Sequence, residues 1–370
     1  MRLLLSGGGT GGHVYPALAV VQELQRAAGA SEGLPELDAV LYVGTVGGLE
    51  ASIVARVGVA FRAVQAAGLR GLSPWRKLLN GLCRGATQAW RILRVFQPDV
   101  VLATGGYASA PVVVAAWLRR CPVLMYLPDI LPGLAVRFLS HLASRVAVSF
   151  DASLDYFAPG RAVVTGYPVR SALYAANKEA AKQRLGLASD WKTLLVLGGS
   201  RGAHSINLAI SEALEELLFG AQVIHIAGEA DVAWLRERRE ELPLESRQRY
   251  HPCAYLHEEM VDALQAADLA VARAGAATMG EFAAVGLPSV LVPYPYAGQH
   301  QEANADFMVA RGAAVKVLDG ALAEGALGHI VRNMLADEGT LRSMAENARK
   351  LARPDAAWAV AQQLALLSGG

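Results

Sequence analysis

Short apolar runs alternate with longer amphipathic segments along almost the whole chain. The runs are rich in Val, Leu and Ile and interrupted by few polar residues, which is typical of parallel strands buried on both faces of a sheet. The predicted strands are RLLLSG, AVLYVG, DVVLATGG, CPVLMYL and RVAVSF in the first half, and KTLLVLGG, QVIHIAGE, ADLAVARAG and LPSVLVPY in the second. A helix-like segment follows each strand, so the pattern predicts doubly wound α/β units.

The opening of this pattern recurs in the second half. LLLSGGGTGGH at residues 3–13 aligns with LLVLGGSRGAH at residues 194–204, and the shared Gly and His positions keep a constant offset of 191. Such a repeat indicates two Rossmann-like domains in series. Because Gly and Pro interrupt the pattern at residues 163–170, we predict domains at residues 1–165 and 166–351. A C-terminal helix at about residues 352–370 could pack on either domain, and packing on the first would return the chain to that domain.

Composition narrows the class of protein. The chain has 370 residues, of which 53% are hydrophobic, and no apolar run approaches the roughly 18 residues that a membrane-spanning helix needs. The apolar run before the first glycines is too short for a signal peptide, so none is expected. Three scattered cysteines suit a reducing compartment and do not form a zinc or disulfide pattern.

Charge divides the chain unevenly. The net charge is +1, but residues 1–150 carry a balance of +7 and residues 151–370 a balance of −6. No Asp or Glu occurs between Ala51 and Pro98, where eight Lys and Arg residues interleave with Leu and Trp. Apolar anchors mixed with cations favour an anionic membrane surface over nucleic acid. The predicted membrane patch consists of Arg70, Leu72, Trp75, Arg76, Lys77, Leu79, Leu82 and Arg84.

Glycine-rich turns supply the candidate chemistry. SGGGTGGH, ATGGYAS, LGGSRGAH and ARAGAATMGE each follow a predicted strand and open a predicted helix. A helix N-terminus offers unpaired N–H groups and a positive dipole end, which together bind anions. A tight turn made only for packing explains any one of them, but four at strand ends favour a phosphate-containing ligand.

Three common classes of enzyme fit poorly. The first turn satisfies the G-x-G-x-x-G pattern of dinucleotide-binding dehydrogenases. Such enzymes also need an acidic residue at the end of the second strand to bind the ribose, and here the next acid is Glu50, beyond that strand. Gly-Lys does not occur, so there is no Walker P-loop, and Asp-x-Asp does not occur, which disfavours a metal-chelating glycosyltransferase.

The motifs in combination resemble one family. In order, and over nearly the whole chain, they are GGGTGGHVYPALAV, YVGT, QPDVVLATGGYAS, PGLAVR, TGYPVR, LGGSRGAHSIN, RAGAATMGEFAAVGLPSVLVPYP and QEANA. Through them the sequence resembles the MurG family, part of glycosyltransferase family 28. The resemblance implies a GT-B fold, in which two Rossmann-like domains face each other across a cleft. It also implies transfer of GlcNAc from UDP-GlcNAc to undecaprenyl-pyrophosphoryl-MurNAc-pentapeptide (lipid I), giving lipid II for peptidoglycan.

The resemblance also implies roles for matching residues, with donor bound mainly by the second domain and acceptor by the first. The implied donor ligands are Thr10, Gly11, Gly12, Asp129, Arg170, Ser200, Leu256, Ala276, Ala277, Thr278, Met279, Gly280, Glu281 and Gln301. The implied acceptor-diphosphate and cleft residues are Gly8, Gly9, Gly105, Gly106 and Tyr107. This chain has Asp129 and Tyr167 where the family usually has an amide and an asparagine.

An inverting transfer needs a base for the acceptor hydroxyl. His13 and Asp129 are the two candidates, and His13 could instead fix the loop or contact phosphate. His204, at the equivalent place in the second domain, is expected to have a capping or structural role. The resemblance implies no tightly bound cofactor and no protein-ligated metal, with Mg²⁺ at most a stimulator.

The implied location is the cytoplasmic face of the bacterial inner membrane, as a peripheral protein. The implied partners are UDP-GlcNAc, lipid I, the anionic membrane surface and other cell-wall synthesis proteins, but not nucleic acid. Two alternatives stay open: another GT-B enzyme acting on lipid, such as a diacylglycerol glycosyltransferase, and a non-catalytic UDP-sugar-binding membrane protein.

Overall fold

The computed structural model describes residues 1–9, 11–30, 33–65, 74–106, 108–175, 177–200, 202–296 and 300–369. Of residues 28–30, 74–82 and 323–324 it describes only the backbone. These parts of the chain fold into two compact units, Met1–Arg170 with Arg353–Gly370, and Ser171–Ala352.

The first unit is built on a seven-stranded parallel sheet with strand order β3-β2-β1-β4-β5-β6-β7. Its elements are β1 (Arg2–Gly7), α1 (Gly11–Ala30), β2 (Ala39–Thr45), α2 (Glu50–Arg56), β3 (Ala60–Val64), α3 (Pro74–Phe96), β4 (Val100–Gly105), α4 (Ser109–Leu118), β5 (Val123–Leu127), α5 (Leu134–Leu139), β6 (Arg145–Val148) and β7 (Ala162–Val164). A 3-10 segment, Asp151–Tyr156, follows β6 in this unit, and another, Ser171–Leu173, follows β7 as the first element of the second unit. The β1, β4 and β5 strands are buried along nearly their whole length, which explains their unbroken apolar sequences.

The second unit has a six-stranded parallel sheet with strand order β10-β9-β8-β11-β12-β13. Its elements are α6 (Lys178–Arg184), β8 (Lys192–Leu197), α7 (His204–Glu212), α8 (Leu214–Leu218), β9 (Ala221–Ile226), α9 (Val232–Glu241), α10 (Leu244–Arg247), β10 (Tyr250–Cys253), α11 (Glu259–Ala266), β11 (Leu269–Ala272), α12 (Ala276–Val285), β12 (Ser289–Leu291), α13 (His300–Ala310), β13 (Ala314–Lys316), α14 (Ala326–Ala336) and α15 (Glu338–Lys350). A 3-10 segment, Asp319–Glu324, lies between β13 and α14. The two parallel sheets with interleaved helices confirm the predicted doubly wound α/β class.

The last helix, α16 (Ala356–Ser368), belongs to the first unit although it follows the second in sequence. It packs on α1 and against β4 and β5. Arg145 Nη1 donates a hydrogen bond to Gln363 Oε1 at 2.5 Å. The chain leaves the first unit after Arg170 and returns to it at Arg353.

Each sheet has its own apolar core. The strands of the first sheet pack against α3 and α4, with Leu93, Val112 and Val113 among the buried residues. The second sheet packs against α7, α8 and α14, with Ile206 and Leu327 at the centre. No helix within the described residues is long and apolar enough to cross a membrane.

Candidate active site

The order of strands in each sheet reverses direction at one point, and ligands of open α/β sheets bind beside such points. In the first unit the reversal falls between β1 and β4, and in the second between β8 and β11. The helices that follow these four strands are α1, α4, α7 and α12. All four glycine turns identified in the sequence therefore lie at the carboxyl ends of strands that flank a switch point.

The two turns of the first unit touch each other. Gly106 has a φ of +78°, and a Cβ atom there would lie 2.2 Å from the carbonyl oxygen of Gly8. Gly9 has a φ of +93° and faces open space. Only glycine satisfies both the backbone conformation and the close approach at position 106. Main-chain groups of the two turns consequently form one continuous surface beside α1 and α4.

His13 is fixed by two reciprocal hydrogen bonds to Thr104 at the end of β4. The imidazole Nδ1 lies 2.7 Å from the Thr104 carbonyl oxygen, and Thr104 Oγ1 donates to the His13 carbonyl at 2.6 Å. Because a carbonyl only accepts, Nδ1 must carry the hydrogen and Nε2 the lone pair of the neutral ring. The half-buried imidazole is thus held in the tautomer that a general base requires.

Glu50 lies fully buried beneath the first turn. Its Oε1 accepts hydrogen bonds from Thr45 N at 2.7 Å and Thr45 Oγ1 at 2.6 Å. A Cβ atom on Gly8 or Gly48 would come within 2.6 Å of the carboxylate. Burial, reinforced by this negative charge, raises the pKa of the neighbouring Tyr42 hydroxyl. Glu50 therefore anchors the turn, a role that the sequence did not indicate.

Tyr167, which replaces the usual asparagine, also supports the first turn. Its hydroxyl donates to the Gly12 carbonyl at 3.2 Å, and its ring lies edge-on to Tyr126 at 6.4 Å. Nearby, the Arg170 guanidinium lies over the Tyr15 ring, 5.6 Å from its centre. The substitution supplies a contact to the start of α1 from the segment that ends the first unit.

Asp129 follows β5 and is half-buried. Its carbonyl oxygen accepts a hydrogen bond from Ser153 Oγ at 3.4 Å, which ties the turn after β5 to the 3-10 segment at Asp151–Tyr156. The side chain is accessible enough to meet a ligand, and its role as base or donor ligand stays a prediction.

The turn after β8 repeats the close packing seen in the first unit. Gly202 has a φ of +74°, and a Cβ atom there would lie 2.2 Å from the Ala227 carbonyl oxygen. Ser200 is exposed in the middle of this turn. The implied donor-phosphate contact at Ser200 is sterically open.

The α12 helix begins at Ala276, with Gly275 as its N-cap. Thr278 is its third residue, and Thr278 Oγ1 donates to the Arg273 carbonyl at 3.0 Å. The predicted donor residues on this helix divide into two groups by burial. Ala276, Thr278, Met279 and Gly280 are buried, whereas Ala277 and Glu281 are half-buried. The half-buried pair is the more accessible to a ligand.

Two further predicted donor ligands lie on other elements of the second unit. Leu256 is half-buried between β10 and α11. Gln301 lies in the first turn of α13, where its Oε1 accepts a hydrogen bond from Tyr294 N at 3.0 Å. Their predicted contacts with uracil and with the donor sugar remain predictions.

Arg273 joins the two turns of the second unit. Its Nη1 lies 2.5 Å from Asp319 Oδ1, and its Nη2 donates to Ser205 Oγ at 2.9 Å. Ser205 in turn donates to Asp319 Oδ1 at 2.7 Å. This cluster connects the end of β11 with the first turn of α7, so the two helix N-termini are braced against each other.

Some predicted residues lie outside the described residues, namely Thr10, Arg70, Leu72 and Tyr107. Trp75, Arg76, Lys77, Leu79 and Leu82 lie on α3 where only the backbone is described. Arg84 is exposed on the same helix. With Arg91, Gln65 and Gln88 it lines a surface cavity of about 420 Å³.

The described part of the chain contains no cluster of three or more His, Cys, Asp or Glu side chains arranged to hold a metal ion.

Proteins of known sequence and structure resemble the chain over its full length. A Roseiflexus sp. (strain RS-1) protein is 44% identical, covering 99% of this chain and 94% of its own length. A Desulforamulus reducens protein is 40% identical, with 96% of each chain covered. Both are named UDP-N-acetylglucosamine--N-acetylmuramyl-(pentapeptide) pyrophosphoryl-undecaprenol N-acetylglucosamine transferase. The crystal structure of Acinetobacter baumannii MurG is similar with a TM-score of 0.73 and 26% identity, covering 98% of both chains.

Two domain families account for most of the sequence. Residues 3–148 match the glycosyltransferase family 28 N-terminal domain, and residues 193–360 match the glycosyltransferase family 28 C-terminal domain. The structural similarity confirms the GT-B class predicted from the motifs. The chain belongs to glycosyltransferase family 28.

Proposed function

We propose that this protein is an inverting glycosyltransferase that moves GlcNAc from UDP-GlcNAc to lipid I and so forms lipid II. The observation that carries the proposal is the placement of four glycine turns at the two switch points. Each of these turns presents a helix N-terminus, a site suited to a diphosphate. Both the donor and the acceptor of this reaction contain a diphosphate, and the named relatives carry this activity in their names.

In the proposed reaction His13 acts as the general base. Its Nε2 takes the proton from the acceptor sugar hydroxyl, whose oxygen forms a bond to C1 of GlcNAc. The bond from C1 to the β-phosphate oxygen breaks on the opposite face, so the configuration at C1 inverts. The electron pair of that bond leaves with UDP, and helix N-termini with their N–H groups stabilise the charge that develops.

The proposed roles of the two units follow from the family. The first unit binds the acceptor diphosphate at the touching turns that contain Gly8 and Gly106. The second unit binds UDP-GlcNAc at the turns before α7 and α12, with Ser200 and Glu281 as accessible contacts. No tightly bound cofactor takes part, and any stimulation by Mg²⁺ would be exerted on the diphosphate rather than through a protein-ligated site.

Transfer of labelled GlcNAc tests the proposal directly. The purified full chain is incubated with UDP-[¹⁴C]GlcNAc and a short-chain lipid I analogue, and the lipid product is separated and counted. Diacylglycerol replaces lipid I in a parallel reaction. We expect label in the lipid I product alone; label in the diacylglycerol product identifies the alternative enzyme, and binding of UDP-GlcNAc without any transfer identifies the non-catalytic alternative.

We also propose that the basic part of the first unit docks on an anionic membrane, at the cytoplasmic face. The exposed Arg84 supports this surface, and so does the alternation of apolar residues with cations in the sequence of this region. The test is sedimentation with vesicles containing phosphatidylglycerol, using a triple variant with Arg76→Gln, Lys77→Gln and Arg84→Gln. The matched control replaces three exposed cations of the second unit, Arg236, Arg342 and Lys350, by Gln. Equal vesicle binding of the two triple variants would contradict the proposal.

A further inference from the structure

The side chain of Arg273 has more partners than the bracing of two helices requires. Arg273 follows β11, and only 11% of its side chain is exposed. Besides Ser205 and Asp319, its Nη1 reaches the carbonyl oxygens of Val292 at 3.2 Å and Pro293 at 3.3 Å. These partners belong to the segments that follow β8, β12 and β13, and with β11 these strands are neighbours in the sheet. The guanidinium therefore connects the segments that leave the carboxyl ends of four adjacent strands.

The guanidinium is locked in one orientation. Nη1 carries two hydrogens but has three acceptors, so one hydrogen goes to the Asp319 carboxylate at 2.5 Å and the other is shared by the two carbonyls. Ser205 Oγ accepts from Nη2 and donates to the same Asp319 oxygen, which closes a ring of three side chains. Rotation of the guanidinium would break this ring, so the remaining Nη1 hydrogen stays directed at Val292 and Pro293.

The Pro293–Tyr294 peptide is held from both sides. Its carbonyl oxygen accepts from Arg273, and its N–H donates to Gln301 Oε1 at 3.0 Å. The guanidinium also lies over the Tyr294 ring, 5.5 Å from its centre, where the ring attracts a cation. Because a peptide unit is planar, fixing the direction of its C=O also fixes the direction of its N–H. Arg273 thus determines where the side-chain oxygen of Gln301 is held.

The amide of Gln301 uses only its oxygen for contacts with the described residues. A backbone N–H can only donate, so the side-chain atom that faces Tyr294 N must be Oε1. Within the part of the chain that the structure describes, Nε2 has no hydrogen-bond partner, and the side chain is half-buried. Its two hydrogens are available to an acceptor from outside the protein, such as a hydroxyl or amide oxygen of a sugar.

The helix that carries Gln301 is docked independently of Arg273. Asn304 lies three residues further along α13, on the same face of the helix as Gln301. It is fully buried, and its Nδ2 donates to the Ala274 carbonyl at 3.0 Å. The position of α13 is therefore secured by Asn304, whereas Arg273 affects the orientation of the Gln301 side chain.

We infer that Arg273 is a positioning residue for the donor sugar, which acts by fixing the peptide that orients the Gln301 amide. The inference rests on the proposed function and on the predicted contact of Gln301 with the sugar of UDP-GlcNAc. Asp319 and Ser205 hold the guanidinium and act one step further from the ligand. Because the uridine and diphosphate parts of the donor do not depend on Gln301, the effect of Arg273 is specific to the sugar.

Calorimetric titration of the full chain with UDP-GlcNAc and with UDP tests the inference. Arg273→Lys keeps a positive charge beside Asp319, but a single ammonium does not reproduce the planar fork that holds the carboxylate, the hydroxyl and the carbonyls together. We expect it to weaken UDP-GlcNAc binding about three- to tenfold, the effect of one lost hydrogen bond, and to leave UDP binding unchanged. Asp319→Asn removes the charge that fixes the arginine and should also lower the ratio of UDP-GlcNAc affinity to UDP affinity.

Arg249→Lys is the matched control. The Arg249 guanidinium also donates to a main-chain carbonyl, that of Leu218 at 2.5 Å, and lies over the Trp191 ring, 4.0 Å from its centre. Arg249 precedes β10 and therefore lies at the amino ends of the strands, opposite the glycine turns. The control variant should bind both ligands as the wild type does.

A double variant separates positioning from a general structural effect. Gln301→Ala removes the sugar contact itself and should weaken UDP-GlcNAc binding at least as much as Arg273→Lys does. If Arg273 acts through Gln301, the two changes together should weaken binding no further than Gln301→Ala alone. Losses that add, as those of independent sites do, would overturn the inference.

The remaining outcomes are distinguishable. Unchanged UDP-GlcNAc affinity in both Arg273→Lys and Asp319→Asn, or in Gln301→Ala, overturns the inference and leaves the proposed function standing. Equal losses of UDP and UDP-GlcNAc affinity assign Arg273 to the nucleotide or to the fold, which also overturns it. Failure of the wild type to bind UDP-GlcNAc overturns the proposed function, and this inference with it.

Discussion

A glycine-rich loop near the start of each unit ends in a histidine, and the two histidines differ in the hydrogen-bond partner of their Nδ1 atom. In both, a buried strand runs into a glycine-rich turn, and the histidine lies in the first turn of the following helix. His13 Nδ1 is paired with the carbonyl oxygen of Thr104, a neutral acceptor. His204 Nδ1 is paired with the carboxylate of Asp231. The motif is repeated, but the partner of the imidazole is not.

This difference in partner suits the two rings to different tasks. The Thr104 carbonyl fixes the Nδ1–H of His13 inward, which leaves Nε2 as the ring atom that can accept a proton from a substrate hydroxyl. The Asp231 carboxylate also accepts from Asn207 and Trp234, so it ties the His204 ring into a hydrogen-bond network of the second unit. The comparison teaches that the role of a histidine in a repeated loop motif cannot be inferred from the motif alone and depends on the atom that its Nδ1 contacts.

Replacing His13 should have the largest effect on activity. We expect His13→Gln to lower kcat by about 10²- to 10⁴-fold, the usual contribution of a general base, with UDP affinity unchanged. The measurement is GlcNAc transfer to the lipid I analogue, with His141→Gln as a control because His141 is an exposed histidine of the same unit. A greater loss of kcat in Asp129→Asn than in His13→Gln would assign the base to Asp129 and break the comparison.

The next largest effect concerns the glycines that shape the loops. Gly106→Ala should destabilise the first unit by more than the roughly 1–2 kcal/mol that a left-handed alanine costs, since its Cβ would overlap the Gly8 carbonyl oxygen. Gly160→Ala isolates the backbone cost alone, because Gly160 has the same φ of +78° with no atom within 4 Å. Thermal unfolding followed by circular dichroism compares the two variants. Equal melting temperatures would mean that the turns separate readily to admit the side chain.

The smallest effect tests how His13 is held. Thr104→Val removes the hydroxyl that donates to the His13 carbonyl while keeping the shape of the side chain. We expect kcat to fall about tenfold, in proportion to the loss of one hydrogen bond, with little change in KM for UDP-GlcNAc. Thr104→Ser retains the hydroxyl and should restore most of the rate. A serine variant as slow as the valine variant would show that the methyl group, rather than the hydroxyl, positions His13.

The sequence predicted the inner strands of both sheets and missed the outer ones. The nine predicted strands correspond to β1, β2, β4, β5, β6, β8, β9, β11 and β12, and the four missed strands, β3, β7, β10 and β13, are the edges of the two sheets. Inner strands are buried on both faces and must be apolar throughout, which makes them visible in the sequence. Edge strands such as AFRAV and YHPC are partly exposed and carry polar residues, so no clear period distinguishes them.

The candidate site was predictable only in part, for a related reason. Glycine turns have a local signature, because their conformation demands glycine within a few residues. Thr104, Asp231 and Tyr167 act through contacts made 91, 27 and 155 residues away in the chain. No local pattern encodes such partners, and no motif in the sequence around Asp231 distinguishes it from other carboxylates. The sequence thus indicated where ligands bind and not how the binding groups are held.

The return of α16 to the first unit affects how the protein is made. The surface of α1, β4 and β5 that this helix covers is synthesised early, yet its cover emerges only after the entire second unit has left the ribosome. During translation the surface of α1, β4 and β5 therefore stays exposed until α16 is made. The second unit, by contrast, is one uninterrupted segment and can complete its core as soon as that segment has been synthesised. A nonsense mutation that removes α16 would therefore damage the first unit, although almost all of that unit is encoded at the opposite end of the gene.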